Sequence, residues 1–514
     1  MQTSFYENPV RRGFYPDPSV IRVGDDFYMV NSSFQYFPAI PISHSTDLVH
    51  WETIGHAVTN SDYLDLSEIR DSHGIWAPDI EYINGRFYII ATLRLNGTEK
   101  SEGHPLRRQL IVSSDRAEGP YSEPHWIDVD DIDPSLFVDT DGKPYMVIAA
   151  GAKVIELSSD LSHTVGELKT AWSGTGERCS EGPHIFFKDG YYYALVAEGG
   201  TGYGHGINVA RSKSLFGTYE PSPYNPVMRQ FDEGAQIQRS GHGKLVQAKD
   251  GSWWCMYLCG RKNEGKFTTC GRESALDRVE WTSDGWFKIN DGKGPSSRAQ
   301  APDLVQTLFD AHDKDDFDGE KLALEWEFVR NPDIANCTLT ERRGFFRIKT
   351  QSETLDKIAS KNTLVKRERE HNFTAETALE FSPKKNGEQA GLTCYYSTTT
   401  YIRFCLCFSD GVKLQLVENR GEGEKIVAES PEISASRVLL KVQVQKQKRT
   451  FFYSIDEGKS WNLCGVVENC TFLSDEGNPN ERKRHTGTLT GIYANNGGSG
   501  NLINADFDYF YMNY

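Results

Sequence analysis

One short pattern recurs five times in this chain and constrains its fold more than any other feature. It reads Gly24-Asp25-Asp26-Phe27-Tyr28, Asn84-Gly85-Arg86-Phe87-Tyr88, Asp141-Gly142-Lys143-Pro144-Tyr145, Asp189-Gly190-Tyr191-Tyr192-Tyr193 and Asp250-Gly251-Ser252-Trp253-Trp254. Asn-Gly and Asp-Gly supply the φ > 0 positions of a two-residue hairpin, and the aromatic opens the returning strand. The units stand about 50–60 residues apart, the length of a four-stranded blade with its loops. Long amphipathic helical stretches are scarce, while short apolar runs broken by Gly, Asp and Asn are everywhere. The chain therefore reads as all-β, and five such blades closed in a ring make a five-bladed β-propeller.

At 514 residues the chain is too long for a single core, which asks for a second domain. The repeats end near residue 300, and the stretch from Lys288 to Ala301, with its Gly, Pro and Ser, reads as the exit. Beyond Asp315 the pattern changes to alternating strands such as Leu439-Leu440-Lys441-Val442-Gln443-Val444 and Phe451-Phe452-Tyr453-Ser454-Ile455. That alternation marks a β-sandwich. The expected organisation is a propeller over 1–300 and a sandwich over 301–514, with a linker at about 288–315.

Composition mainly excludes. The net charge of -16 speaks against nucleic acid and against an anionic membrane surface, and suits a neutral substrate. No stretch approaches the roughly eighteen apolar residues of a membrane span. The opening MQTSFYENPV has neither a basic nor an apolar leader region, so the protein is expected in the cytoplasm unless a leader has been removed. Ten scattered cysteines without a C-x-x-C pair read as free thiols, which fits a reducing compartment.

Counting back twelve residues from the aromatic of each repeat reaches Trp76, Asp133, Glu181 and His242, and in the first repeat falls one short of Asp17. Equivalent positions in successive blades point to the same end of the propeller axis. Asp17, Trp76, Asp133, Glu181 and His242 should thus ring one funnel. Asp before Pro is often only a turn former. Asp17-Pro18-Ser19 and Asp133-Pro134-Ser135 in register with Glu181-Gly182-Pro183-His184 favour chemistry instead. Cleaving a glycosidic bond needs one carboxylic acid to protonate the leaving oxygen and a second carboxylate to drive attack at the anomeric carbon. A third carboxylate raises the pKa of the acid by like-charge repulsion. Trp76 offers a face for a sugar ring. His242, between two glycines, either ligates a metal or bonds a buried carbonyl.

These residues resemble glycoside hydrolase family 43, which acts on xylan and arabinan side chains and ends. The motifs carrying the resemblance stand in order: Gly13-Phe14-Tyr15-Pro16-Asp17-Pro18-Ser19, Gly74-Ile75-Trp76-Ala77-Pro78-Asp79, Ile132-Asp133-Pro134-Ser135, Ser180-Glu181-Gly182-Pro183-His184, Gly241-His242-Gly243 and Gly271-Arg272-Glu273. The resemblance implies Asp17 as general base, Glu181 as general acid, and Asp133 as the group that tunes and positions the acid. It implies Arg272 on the sugar hydroxyls, against the alternative of a salt bridge to Glu273 or another inner acid. It also implies a structural calcium beside His242, an inverting mechanism, and carboxyl groups about 6.5–9.5 Å apart. Longer family members carry a C-terminal sandwich with a loop leaning over the funnel. Asn495-Asn496-Gly497-Gly498-Ser499-Gly500-Asn501 is the candidate, with an ordinary hairpin loop as the alternative.

For the substrate, the run Ser32-Ser33-Phe34-Gln35-Tyr36-Phe37-Pro38 has Gln35 and Tyr36 where a β-xylosidase of the family would carry an acid and a tryptophan. Ala39-Ile40-Pro41-Ile42 departs too, and these departures resemble the branch rich in α-L-arabinofuranosidases. Phe34 would wall a pocket for one terminal sugar or belong to the core of blade one. The leading expectation is exo-acting release of α-L-arabinofuranose from arabinoxylan or its oligosaccharides, with a β-D-xylosidase or bifunctional enzyme next. A retaining invertase-like fructosidase lacks its Asn-Asp-Pro-Asn run here. A non-catalytic sugar-binding module sits badly with the full acid set.

Overall fold

The computed structural model describes residues 4–97, 104–309, 313–479 and 484–514. Five four-stranded antiparallel blades form the propeller, their innermost strands being Ser19–Val23, Gly74–Ile83, Ser135–Val138, Glu181–Lys188 and Ile237–Gln247. The fourth blade carries a further short strand, Met228–Arg229, beside Gly206–Ser212. Each blade buries alternating apolar side chains against its neighbours; Ile21, Val30, Ile80, Ile89 and Leu110 share one such layer between blades one and two.

The hairpin turns explain the uneven register read from the repeats. Blades one, two and four turn through the expected residue pairs, with Val23 opposite Asp26, Ile83 opposite Arg86 and Lys188 opposite Tyr191. Blades three and five use the wider loops 139–143 and 248–252. Blades two and four instead spend extra residues on β-bulges, between Trp76 and Asp79 and between Glu181 and His184. Blade one has neither device, which is why its count falls one short. A bulge also re-aims the side chain beside it.

The stretch read as the propeller exit is structured at both ends. Phe287–Ile289 completes blade five, and Arg298–Gln300 returns to pair with Phe5–Glu7. The N-terminal segment then crosses to blade five, where Arg11 and Ser274 exchange backbone hydrogen bonds and Asn8 bonds the backbone of Leu276. These contacts close the ring. Of the linker expected at about 288–315, residues 310–312 lie outside the described residues.

The second domain packs two eight-stranded antiparallel sheets face to face, with Phe373, Leu392, Phe404, Val442, Phe451 and Phe507 among the side chains between them. The strand patterns read at 439–444 and 451–455 fall in Arg437–Gln445 and Lys448–Ser454. One edge strand of this sandwich belongs to the propeller: Tyr36–Phe37 pairs with Glu327–Val329. Arg330 fastens the same seam, buried and bonded to Asp71 and to the Ile69 carbonyl. All ten cysteines are free.

Candidate active site

Asp17, Phe34, Trp76, Asp133, Glu181, His242 and Arg272 border a single pocket of about 140 Å³ on the propeller axis. The chain reaches this crowded centre by unusual backbone: Asp17, Ala77, Asp133, Gly182 and His242 all have positive φ. At Gly182 no other residue fits, because a Cβ would stand 2.8 Å from the His242 ring. Strain concentrated around one pocket is a mark of a functional site.

Asp17 is held on several sides. Arg272 clamps it through Nη1 at 2.8 Å and Nη2 at 3.3 Å, and the Ser32 hydroxyl donates at 2.6 Å. Ser32 in turn accepts the Ala77 N–H, which ties the bulge of blade two to Asp17. Burial is the largest influence on Asp17 and acts to raise its pKa. The Arg272 guanidinium, then His242 and Ser32, outweigh it and hold the carboxyl below its ordinary range.

Glu181 has the opposite environment. Burial, then the charges of Asp133 and Asp17, push its carboxyl up to about 8, against the weaker pull of Arg272 and Arg178. Asp133 accepts the Gly182 N–H at 3.0 Å, so it braces the residue next to Glu181. Its own pKa is raised, chiefly by burial. The pocket thus holds one carboxyl kept ionised and another kept protonated near neutrality, the division of labour that acid–base cleavage needs.

Trp76 donates its indole N–H to the Ser72 carbonyl and lies with its ring centroid 6.2 Å from that of Phe34. The two rings form the apolar wall. Arg272 lines the pocket, but its fork is directed at Asp17, with Nη1 also 3.4 Å from Thr201 Oγ1. The alternative partner Glu273 bonds Arg261 and the Gly13 N–H instead.

The implied calcium finds a poor set of donors. His242 Nδ1 stands 3.6 Å from Asp17 Oδ1 and 3.9 Å from Asp133 Oδ2, and both carboxylates already have other partners. No group of three His, Cys, Asp or Glu side chains that could hold a metal occurs among the described residues. Deeper on the axis the Lys244 ammonium bonds Asp79 and Glu81 at 2.7 Å each, the Ile80 carbonyl at 2.9 Å and Ser19 Oγ at 3.2 Å. Calcium asks for six or more oxygens; beside His242 water would have to supply nearly all of them, and deeper on the axis the Lys244 ammonium already stands among the oxygens.

The second domain meets the pocket elsewhere than expected. The loop 495–501 does not close the pocket; Asn496 and Asn501 bond Thr350, Glu388 and each other on the sandwich itself. The closing residue is His485, which borders the pocket and whose carbonyl accepts Arg272 Nε at 3.2 Å. It precedes the strand Leu489–Asn495, whereas 495–501 follows it, so the two segments lie at opposite ends of one strand. Gln35 and Tyr36 also miss the pocket. Both are fully buried on the seam, where the Gln35 backbone carbonyl accepts from Arg330 and Tyr36 pairs with Val329. His485, Thr201 and Ile132 also line the pocket. Ile132 stands inside one of the motifs, whereas no repeat or motif marks Thr201 or His485.

A closed propeller with oppositely tuned carboxyls on its axis defines a glycosidase. The chain belongs to the glycosyl hydrolases family 43, whose model matches residues 6–287, and residues 314–513 match the beta xylosidase C-terminal concanavalin A-like domain. It is 35% identical over 538 residues to a xylan 1,3-beta-xylosidase of Vibrio sp., covering 99% of each chain. It is 34% identical to the non-reducing end alpha-L-arabinofuranosidase BoGH43B of Bacteroides ovatus, covering 98% of this chain and 94% of the relative. The crystal structure of the family 43 protein BlXynB from Bacillus licheniformis superposes with a TM-score of 0.97 at 54% identity, covering 99% of this chain and 100% of the other.

Proposed function

We propose that the protein is an inverting exo-glycosidase that removes one terminal pentose from xylan-derived chains. The carrying observation is the opposed tuning of Asp17 and Glu181 in one pocket. In this reading Asp17 takes a proton from a water whose oxygen attacks the anomeric carbon, while Glu181 gives its proton to the departing oxygen as the glycosidic bond breaks. Asp133 keeps Glu181 protonated and its backbone in place. Phe34 and Trp76 wall the sugar, and a pocket this small supports occupation by a single ring.

Terminal β-D-xylose is the favoured substrate. The arabinofuranoside reading drew on Gln35 and Tyr36, which lie buried away from the pocket, whereas the Vibrio relative and the C-terminal domain family both carry xylosidase names. The second reading, α-L-arabinofuranosidase activity, keeps the support of the Bacteroides ovatus relative. Proton NMR during early turnover of nitrophenyl β-D-xyloside and of nitrophenyl α-L-arabinofuranoside, which share a leaving group, tests both readings. The first-formed sugar should carry the inverted anomeric configuration, and the xyloside should be the faster substrate. A retained anomer would overturn the mechanism, and exclusive arabinofuranoside turnover would overturn the preference.

A further inference from the structure

The acid that ties the two domains together beside the pocket is Asp475, in the segment of the sandwich that leads to His485. Its environment is unusually complete. Arg239, from the inner strand of blade five and itself 1% exposed, bonds Asp475 Oδ2 through Nη1 at 3.2 Å and Nη2 at 3.1 Å. The other oxygen, Oδ1, accepts the backbone N–H groups of Arg484 at 3.0 Å and His485 at 2.9 Å, together with the Tyr396 hydroxyl. The His485 imidazole stands 3.9 Å from Oδ2.

From there the connection to the pocket is continuous. His485, whose N–H Asp475 holds, also offers the carbonyl that accepts Arg272 Nε, and Arg272 clamps Asp17. One oxygen of Asp475 therefore faces the propeller and the other fixes the sandwich backbone that orients the clamp. We propose that Asp475 is a positioning residue for Asp17, acting through His485 and Arg272, so that the catalytic base is set only when the sandwich is docked on the propeller. The proposal rests on the assignment of Asp17 as base.

Burial acts to raise the pKa of Asp475, but Arg239 and His485 outweigh it and hold the carboxyl below its ordinary range, so it stays ionised across the working pH. Glu476 provides the internal control. It bonds the same Arg239 at 2.8 Å and also Thr268, both on the propeller, and holds neither the Arg484 nor the His485 N–H, which Asp475 takes. Loss of Glu476 weakens docking without releasing the clamp. Loss of Asp475 does both, because in Asp475→Asn either the amide N–H faces Arg239, donor to donor, or it faces the backbone N–H groups.

The test compares Asp475→Asn, Glu476→Gln and Tyr396→Phe in the full chain, on nitrophenyl xyloside and on xylobiose. Asp475→Asn should lower kcat about tenfold or more on both substrates alike, since a displaced base slows attack whatever the leaving group. KM should stay within about threefold. Glu476→Gln should lose comparable thermal stability but keep kcat within about twofold. Tyr396→Phe, which keeps the charge and removes one donor, should fall between; it carries the test if Asp475→Asn fails to fold. A crystal structure of the variant supplies a readout independent of turnover, in which the Arg272–Asp17 fork should open. An unchanged kcat and fork in Asp475→Asn, or an equal kcat loss in Glu476→Gln, would overturn the proposal. Activity retained by Asp17→Asn would instead remove the base assignment on which it rests.

Discussion

Replacing Asp133 by Asn isolates what the third carboxylate does for the acid. Asn has the same shape, and its carbonyl can still accept the Gly182 N–H that Asp133 accepts at 3.0 Å, so the backbone beside Glu181 keeps its support. Only the charge goes. Two unit charges roughly 6 Å apart at an effective dielectric of about 20 repel by about 3 kcal/mol, equivalent to about two pH units. The expected shift is about one to two units, the upper figure being that of a full unit charge. Its sign follows from the role: Glu181 must be protonated to act, so activity is present below its pKa and lost as pH rises through it. In the wild type that basic limb is expected at about 8, where burial and the neighbouring carboxylates push the Glu181 carboxyl. In Asp133→Asn it should move to lower pH, yet remain above the ordinary carboxylate range, because burial is the largest cause and is untouched. The assay is kcat/KM against pH on xylobiose, whose poor leaving group makes protonation matter. The limb position is read independently of any fall in amplitude. A basic limb that stays in place or moves up would refute the account of how Glu181 is tuned.

Two other perturbations probe the acid and the pocket wall. Glu181→Gln should slow xylobiose hydrolysis by about 10²–10⁴-fold while sparing nitrophenyl pentosides far more; equal losses on both would remove Glu181 from the acid role. Gly74→Ala should destabilise the protein by about 2–5 kcal/mol and raise KM, since Gly74 has a φ of +95° and a Cβ there would stand 2.2 Å from the Phe34 carbonyl oxygen, beside the wall made by Phe34 and Trp76. A denaturant midpoint and KM equal to those of the wild type would show that the wall tolerates the added methyl.

The repeats made the propeller and its catalytic ring legible because both are local and periodic. A turn pair followed by an aromatic strand is specified within a few residues, and equivalence between blades carries Asp17, Trp76, Asp133, Glu181 and His242 to one axis whatever the intervening loops do. The alternating runs of the second domain were legible for the same reason. What depended on contacts between distant segments was not. Nothing near Tyr36 indicates that it completes a sheet with Val329, nor near Gln35 that its carbonyl meets Arg330. The direction of the strand Leu489–Asn495 decides that His485, and not 495–501, meets the funnel, and no periodicity encodes which end of a strand faces another domain. Arg272 reads from its motif as a sugar contact, but only the assembled pocket turns its fork onto Asp17 and hands its remaining edge to the sandwich. Lys244 lies in an inner strand like any other polar residue, and its ammonium becomes the cation on the axis only because blades one and two bring Ser19, Asp79 and Glu81 around it. The sequence by itself determined the kind of scaffold and the acids it presents; the closure of the pocket and the charges that tune those acids come from long-range packing, where partners hundreds of residues apart become neighbours.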